Sequence, residues 1–213
     1  IGLAMRGFRP IAEIQYLDYL MFALQTLSDD LATVSYRSVG KQLAPLIVRT
    51  RGHRLEGMWH AGSPMGMILN SLKGMLVLTP RNMVQASGMY NTLMSCTDPA
   101  LIIEPLNAYR LKEKEPLNLG EFTVPLGKIE VINPGTDITV VSYGSTLKLV
   151  EKTIPELERN NINIELIDIQ SLIPFDLNKD IVESIKKTNK LLIVDEDYPC
   201  LLYTSPSPRD PSI

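Results

Sequence analysis

Short apolar runs rich in β-branched residues alternate with longer stretches of helical period, the pattern of a mostly parallel sheet built from βαβ units. Two such sets are predicted. In the first, 10–15 reads as a strand, and 17–31 as helical from the spacing of Leu20, Leu24, Leu27 and Leu31. A strand over 46–49 leads into a glycine-rich loop. Ser63-Pro64 has the residue types of an N-cap and first turn for a helix running to about Leu72. A strand over 75–78, a helix over 82–96 with Met83, Ala86, Tyr90, Leu93 and Met94 toward one side, and a strand over 100–103 close the set. Residues 106–121 are polar, Lys/Glu-rich and aperiodic, and read as a linker. In the second set, 122–131 alternates loosely like an edge strand, Asn133-Pro134-Gly135 is a turn, and 138–141 is a buried strand. Gly144-Ser145 starts a helix with Leu147, Val150, Ile154 and Leu157 on one face, which Pro155 should kink or restart. A strand over 162–169, a helix over 176–187 capped by Asp176, and a strand over 191–194 follow. The fold class is α/β, with two doubly wound units.

Composition narrows the function classes. The chain has 213 residues, 45% hydrophobic and 21% charged, which is ordinary for a globular protein. No run approaches the ~20 apolar residues of a membrane helix, so a membrane role is not expected. With 21 Lys and Arg against 24 Asp and Glu and no basic cluster, nucleic acid is not an expected partner. Cys96 and Cys200 are too few for a disulfide framework, which favours a reducing compartment. The opening Ile1–Gly7 reads as the end of a helix and a turn, so the segment is expected to begin inside a fold. Its last nine residues hold three prolines and three serines. That stretch resembles translated adapter read-through, and 200–213 is expected to be a non-native, disordered tail.

Ligands of open α/β sheets bind beyond the carboxyl ends of the strands, which directs attention to three loops. The first, Tyr16-Leu17-Asp18-Tyr19, sets a carboxylate and a phenol at a strand-to-helix turn; Asp18 reads equally as an N-cap beside a core tyrosine. The second runs from Arg49 to Pro64 and holds His53, His60 and the single tryptophan, Trp59. Gly57 and Gly62 have P-loop spacing, but Ser63-Pro64 follows instead of Lys-Ser/Thr. The two histidines, seven apart with no companion ligand, make a poor zinc site, so no metal is assigned to this chain. His60 reads either as a catalytic imidazole or as a loop histidine with ordinary hydrogen-bond partners. In the third loop, Glu104 is either a site acid or a buried glutamate paired with an arginine.

Several of these stretches occur in the order of one family. Phe8–Tyr19 (FRPIAEIQYLDY), Tyr36-Arg37-Ser38, Val48-Arg49-Thr50, Trp59–Pro64 (WHAGSP), Val124–Lys128, Asp137–Val141, Glu165–Asp168 and Lys186–Lys190 resemble the beta subunit of the thiamine-diphosphate-dependent decarboxylating component of 2-oxo acid dehydrogenase complexes, of the transketolase-like superfamily. The resemblance covers about 1–198. The stretch RTRGHRLEGMWHAGSPMGM is closest to forms with alpha and beta parts fused in one chain.

The resemblance implies a transketolase-like pyrimidine-binding domain over 1–118 and a transketolase C-terminal domain over 119–199, both incomplete. It implies oxidative decarboxylation of a 2-oxo acid with thiamine diphosphate and transfer of the acyl group to a lipoyl group. Tyr19 matches the tyrosine that packs by the aminopyrimidine ring, and His60 the histidine that reaches the reaction centre; His53 has no counterpart. The alpha subunit or alpha half would hold the diphosphate with Mg2+, so this chain would carry half a cofactor site. Other implied partners are a lipoyl-bearing acyltransferase, the small 2-oxo acid and further subunits of a homo- or hetero-oligomer. The compartment would be bacterial cytoplasm or mitochondrial matrix. The glutamate that activates the aminopyrimidine lies upstream in the family and has no counterpart in 1–213, and Ala61-Gly62 replaces the family's Ser-Gln after the histidine. The segment alone is therefore expected to be inactive. Glu104–Arg110 (EPLNAYR) is nearer the branched-chain than the pyruvate form, favouring 3-methyl-2-oxobutanoate-type substrates with pyruvate as the alternative. Another transketolase-superfamily enzyme, or a non-catalytic module docking a partner subunit, are the competing readings.

Overall fold

The computed structural model describes residues 1–52 and 63–196. After a short helix α1 (Gly2–Met5), strand β1 (Ile11–Tyr16) runs into a 3-10 turn, Leu17–Phe22, and a π-type turn, Thr26–Leu31. Helix α2 (Val34–Arg37), strand β2 (Ile47–Gly52), helix α3 (Met65–Ser71), strand β3 (Leu76–Leu78), helix α4 (Met83–Ser95) and strand β4 (Ala100–Pro105) follow. The second half contains β5 (Glu130–Asn133), β6 (Ile138–Ser142), α5 (Gly144–Arg159), β7 (Ile164–Asp168), β8 (Ser171–Ile173), α6 (Asp180–Thr188) and β9 (Leu191–Ile193).

Two sheets result, ordered β1-β2-β4-β3-β8 and β5-β7-β6-β9. Pairings among β1, β2, β4 and β3 are parallel, as are β6 with β7 and β6 with β9. Strands β5 and β8 pair antiparallel, with β7 and β3 respectively. Both faces of the first sheet are covered at β3 and β4, so these strands are apolar at successive positions rather than at alternate ones, whereas β1 at the sheet edge is largely exposed. Leu101 and Ile103 of β4 face a core with Leu17, Leu20, Ile68 and Leu72, while Ala100 and Ile102 face Met89 and Leu93 of α4. The larger core is shared: Val141, Tyr143, Ile167 and Ile169 of the second half belong to it. Each such buried aliphatic contributes about 1.5–3 kcal/mol.

Several local expectations are revised. Residues 17–31 are helical and bury Leu20, Leu27 and Leu31, but as a 3-10 turn and a π-type turn rather than one α-helix. Ser63 is not the cap of α3; Pro64 occupies that position, and the Ser63 hydroxyl donates to the Glu196 carboxylate. The stretch 122–131 is a strand only from Glu130. Its first part is strapped to α4 instead: the Val124 N–H donates to Thr92 Oγ1 (3.1 Å), the Thr92 hydroxyl to the Val124 carbonyl (2.7 Å), and Asn91 Nδ2 to the Phe122 carbonyl (2.8 Å). Gly88 makes room, since a methyl there would lie 2.3 Å from the Phe122 ring. Helix α5 runs through Pro155 without a break, held by Leu147, Val150, Ile154 and Leu157 on the second sheet. Helix α6 starts at Asp180 rather than at 176, with Lys179 at its cap position; the Asp176 carboxylate lies four residues upstream and accepts from the N–H groups of Asp180 and Ile181, both at 2.9 Å. Strand β8 has no counterpart in the predicted elements, because three residues carry no period.

Candidate functional site

The carboxyl ends of β1, β2 and β4 lie side by side and carry most of the candidate residues. Between β1 and β2 the register is regular from Ile11↔Ile47 to Ile14↔Thr50, then shifts so that Tyr16 pairs with Arg51. Gln15 is thus the extra residue of a β-bulge, a device that re-aims a side chain. The Arg51 guanidinium carbon lies 4.8 Å from the centroid of the Tyr16 ring. Beyond Tyr16 the chain tightens into the 3-10 turn, where residues three apart eclipse. Tyr19 accordingly meets Tyr16 edge-to-face, with centroids 5.7 Å apart and planes at 89°. The turn sits close because Gly52 has no side chain: a methyl there would fall 2.5 Å from Leu17 Cβ. Tyr19 stays half-buried at this edge. Asp18 lies within the turn, whose cap position is Tyr16, so the N-cap reading of Asp18 does not hold. His53, Trp59 and His60 lie outside the described residues.

Glu104, near the end of β4, is 2% exposed and is the arginine-paired glutamate of the two readings. Arg49 donates to it at 2.7 Å and Tyr90 of α4 at 2.5 Å, and the Tyr109 hydroxyl donates as well. Arg49 also donates to the Tyr109 oxygen at 3.1 Å and lies 3.6 Å from Glu13. Burial lowers the affinity of Arg49 for its proton, but hydrogen bonds to Glu104 and Tyr109 outweigh this and raise its pKa. Burial and the neighbouring carboxylate push Tyr109 up to about 12, and Tyr90 higher still. The arginine and the two phenols are therefore held in their ordinary charge states. This is a structural network rather than an acid poised for proton transfer.

A second polar cluster joins the halves of the chain. Arg81, just before α4, donates to Asp168 at the end of β7 (2.8 Å) and to Glu130 of β5 (2.6 Å). Gln85 Nε2 donates to Asp168 (3.1 Å) and to Gln170 Oε1 (2.7 Å). A cavity of about 190 Å3 opens beside it, lined by Arg81, Pro105, Ala108, Lys148 and Leu149 among others. Two of its cations are already committed, Arg81 as above and Lys148 to Glu113 at 3.3 Å. Among the described residues no group of three or more His, Cys, Asp or Glu could hold a metal ion.

Residues 1–112 match the transketolase pyrimidine binding domain, and residues 127–201 the transketolase C-terminal domain. The chain belongs to the transketolase family. Within that family it is 32% identical over 198 residues to the pyruvate dehydrogenase E1 component subunit beta of Acholeplasma laidlawii. It is equally similar to the 2-oxoisovalerate dehydrogenase subunit beta of Bacillus subtilis (strain 168), with 92% of this chain and 60% of each relative covered. The chain thus spans about 60% of the length of these relatives. Among solved structures, a split-gene transketolase described as an inactive beta4 tetramer superposes with a TM-score of 0.74 at 18% identity, covering 92% of this chain and 59% of that one. At that identity the likeness establishes the transketolase fold alone. Tyr19 and residues 53–62 both fall within the matched pyrimidine binding domain. The sequence had no signal for Arg51 or for Arg81 with Asp168, since a bulge and a pair 87 residues apart leave no periodic trace.

Proposed function

We propose that the chain is the beta-type part of the decarboxylating component of a 2-oxo acid dehydrogenase and contributes the pyrimidine-facing half of a thiamine diphosphate site. The observation that carries this reading is the half-buried ring of Tyr19 at the carboxyl end of β1, braced by a second aromatic ring, inside the matched pyrimidine binding domain. A flat aromatic face at a strand end suits the ring of an aminopyrimidine. When bound, the cofactor supplies the electron sink for loss of CO2. Tyr19 would orient its ring, and the His60 imidazole would exchange a proton with the substrate-derived oxygen. The alpha subunit or alpha half would hold the diphosphate with Mg2+.

The acyl group would pass to a lipoyl group of an acyltransferase, in bacterial cytoplasm or mitochondrial matrix. Relatives named for pyruvate and for 2-oxoisovalerate are equally similar, so substrate preference rests on 104–110, which favours branched-chain 2-oxo acids. Turnover of 3-methyl-2-oxobutanoate against pyruvate, in full-length protein with its alpha part, tests the preference. Tyr19→Ala and His60→Ala test the roles: each should cut turnover at least tenfold, the scale of a lost general acid or a misplaced cofactor. Unchanged turnover in both would overturn the enzymatic assignment. The 213-residue chain alone should show no decarboxylation.

A further inference from the structure

We propose that Arg51 is a positioning residue that acts through Tyr16 on the ring of Tyr19; this rests on the reading of Tyr19 as the aminopyrimidine contact. Arg49 and Arg51, two apart on β2, have different surroundings. Arg49 is committed to Glu104 and Glu13. Arg51 makes no ion pair among the described residues and lies instead over the Tyr16 ring; the Nε of each arginine is buried with no hydrogen-bond partner. A buried N–H left so is costly, and the face of Tyr16 is the contact that offsets part of that cost for Arg51.

That contact exists only because of the bulge. In the regular register Gln15 would lie opposite Arg51 and Tyr16 opposite Gly52; the extra residue brings Tyr16 against the guanidinium instead. The cation lies on the face of Tyr16, and Tyr19 meets Tyr16 through its edge contact, so the three groups lie in series. Arg51 therefore fixes, at one remove, the angle at which Tyr19 is presented.

The test uses full-length protein with its alpha part and the variants Arg51→Met, Arg51→Lys and Tyr16→Leu. In cofactor-free protein labelled with 3-fluorotyrosine, the 19F resonance of Tyr19, assigned by its loss in Tyr19→Phe, should shift in Arg51→Met and stay near its wild-type position in Arg51→Lys. Calorimetric affinity for thiamine diphosphate should fall about three- to tenfold in Arg51→Met, the range of one cation–π contact. Arg51→Lys should recover most of it. Tyr16→Leu should match Arg51→Met, and the double variant should be no weaker than the worse single one. A Tyr19 resonance unmoved by Arg51→Met, or losses that multiply in the double variant, would overturn the proposal. If Tyr19→Ala leaves the affinity unchanged, the cofactor reading falls, while the 19F shift still decides whether Arg51 controls the Tyr19 ring.

Discussion

Arg81 reaches from the start of α4 to the fully buried carboxylate of Asp168 at the end of β7, 2.8 Å away, and so ties the first half of the chain to the second. Asp168 Oδ2 also accepts from Gln85, and its Oδ1 from the Gln170 N–H at 3.1 Å. Asp168→Ala would leave three donors without this acceptor. The expected loss is about 2–4 kcal/mol, read as a lower urea midpoint with Arg81→Ala/Asp168→Ala less harmful than the sum of its parts.

Glu104→Gln tests the other network. It keeps the shape but removes the charge that faces Arg49, Tyr90 and Tyr109. Because a third of the Arg49 side chain is exposed, water relieves part of the cost, and a loss of about 1–3 kcal/mol is expected. Alkaline absorbance titration gives a second reading: in wild type Tyr109 ionises at about pH 12, and in Glu104→Gln it should ionise earlier.

Glu165 supplies a pH dependence. Burial favours its neutral form, yet hydrogen bonds from Lys187, from Ser184 at 2.6 Å and from the Gly135 N–H hold its pKa below 4.5. A depressed carboxyl pKa means the folded state binds fewer protons than the unfolded one. The stabilisation is thus complete above pH 4.5 and is lost as pH falls through the lower folded value. The gap in urea midpoint between wild type and Glu165→Gln should be widest near neutrality and narrow below pH 4.5.

Gly52→Ala probes the close approach of β2 and the turn. Its methyl would meet Leu17 Cβ at 2.5 Å, and both atoms are bonded directly to strand and turn backbone, so no side-chain rotation separates them. Overpacking of this kind costs about 1–3 kcal/mol. The turn would yield first, so a change in the 19F signal of Tyr19 should accompany the drop in melting temperature.

Legibility in the sequence followed repetition. Strands β2, β4, β6 and β7 are readable because each buries β-branched and aliphatic residues, and α4 and α5 because their apolar positions recur at helical spacing. The 122–129 strap was misread as a strand, since Thr92 and Asn91 satisfy its backbone from another element and that partnership leaves no local trace. Among the candidate residues, Tyr19 is marked by its motif and Glu104 by its place after a strand. Its pairing with Arg49 was one of two open readings until the geometry decided it. The Arg51–Tyr16 contact depends on a single shifted register, which no residue type announces.

Strand β8 gives the fold an order of assembly. Strand β3 has β4 on one side and acquires its other neighbour only from Ser171–Ile173, far along the chain. During synthesis the first sheet must wait, with one edge open to strangers, until most of the second half has left the ribosome. Any natural or engineered stop placed before Ser171 would therefore release a chain whose first sheet is ready to pair with another copy.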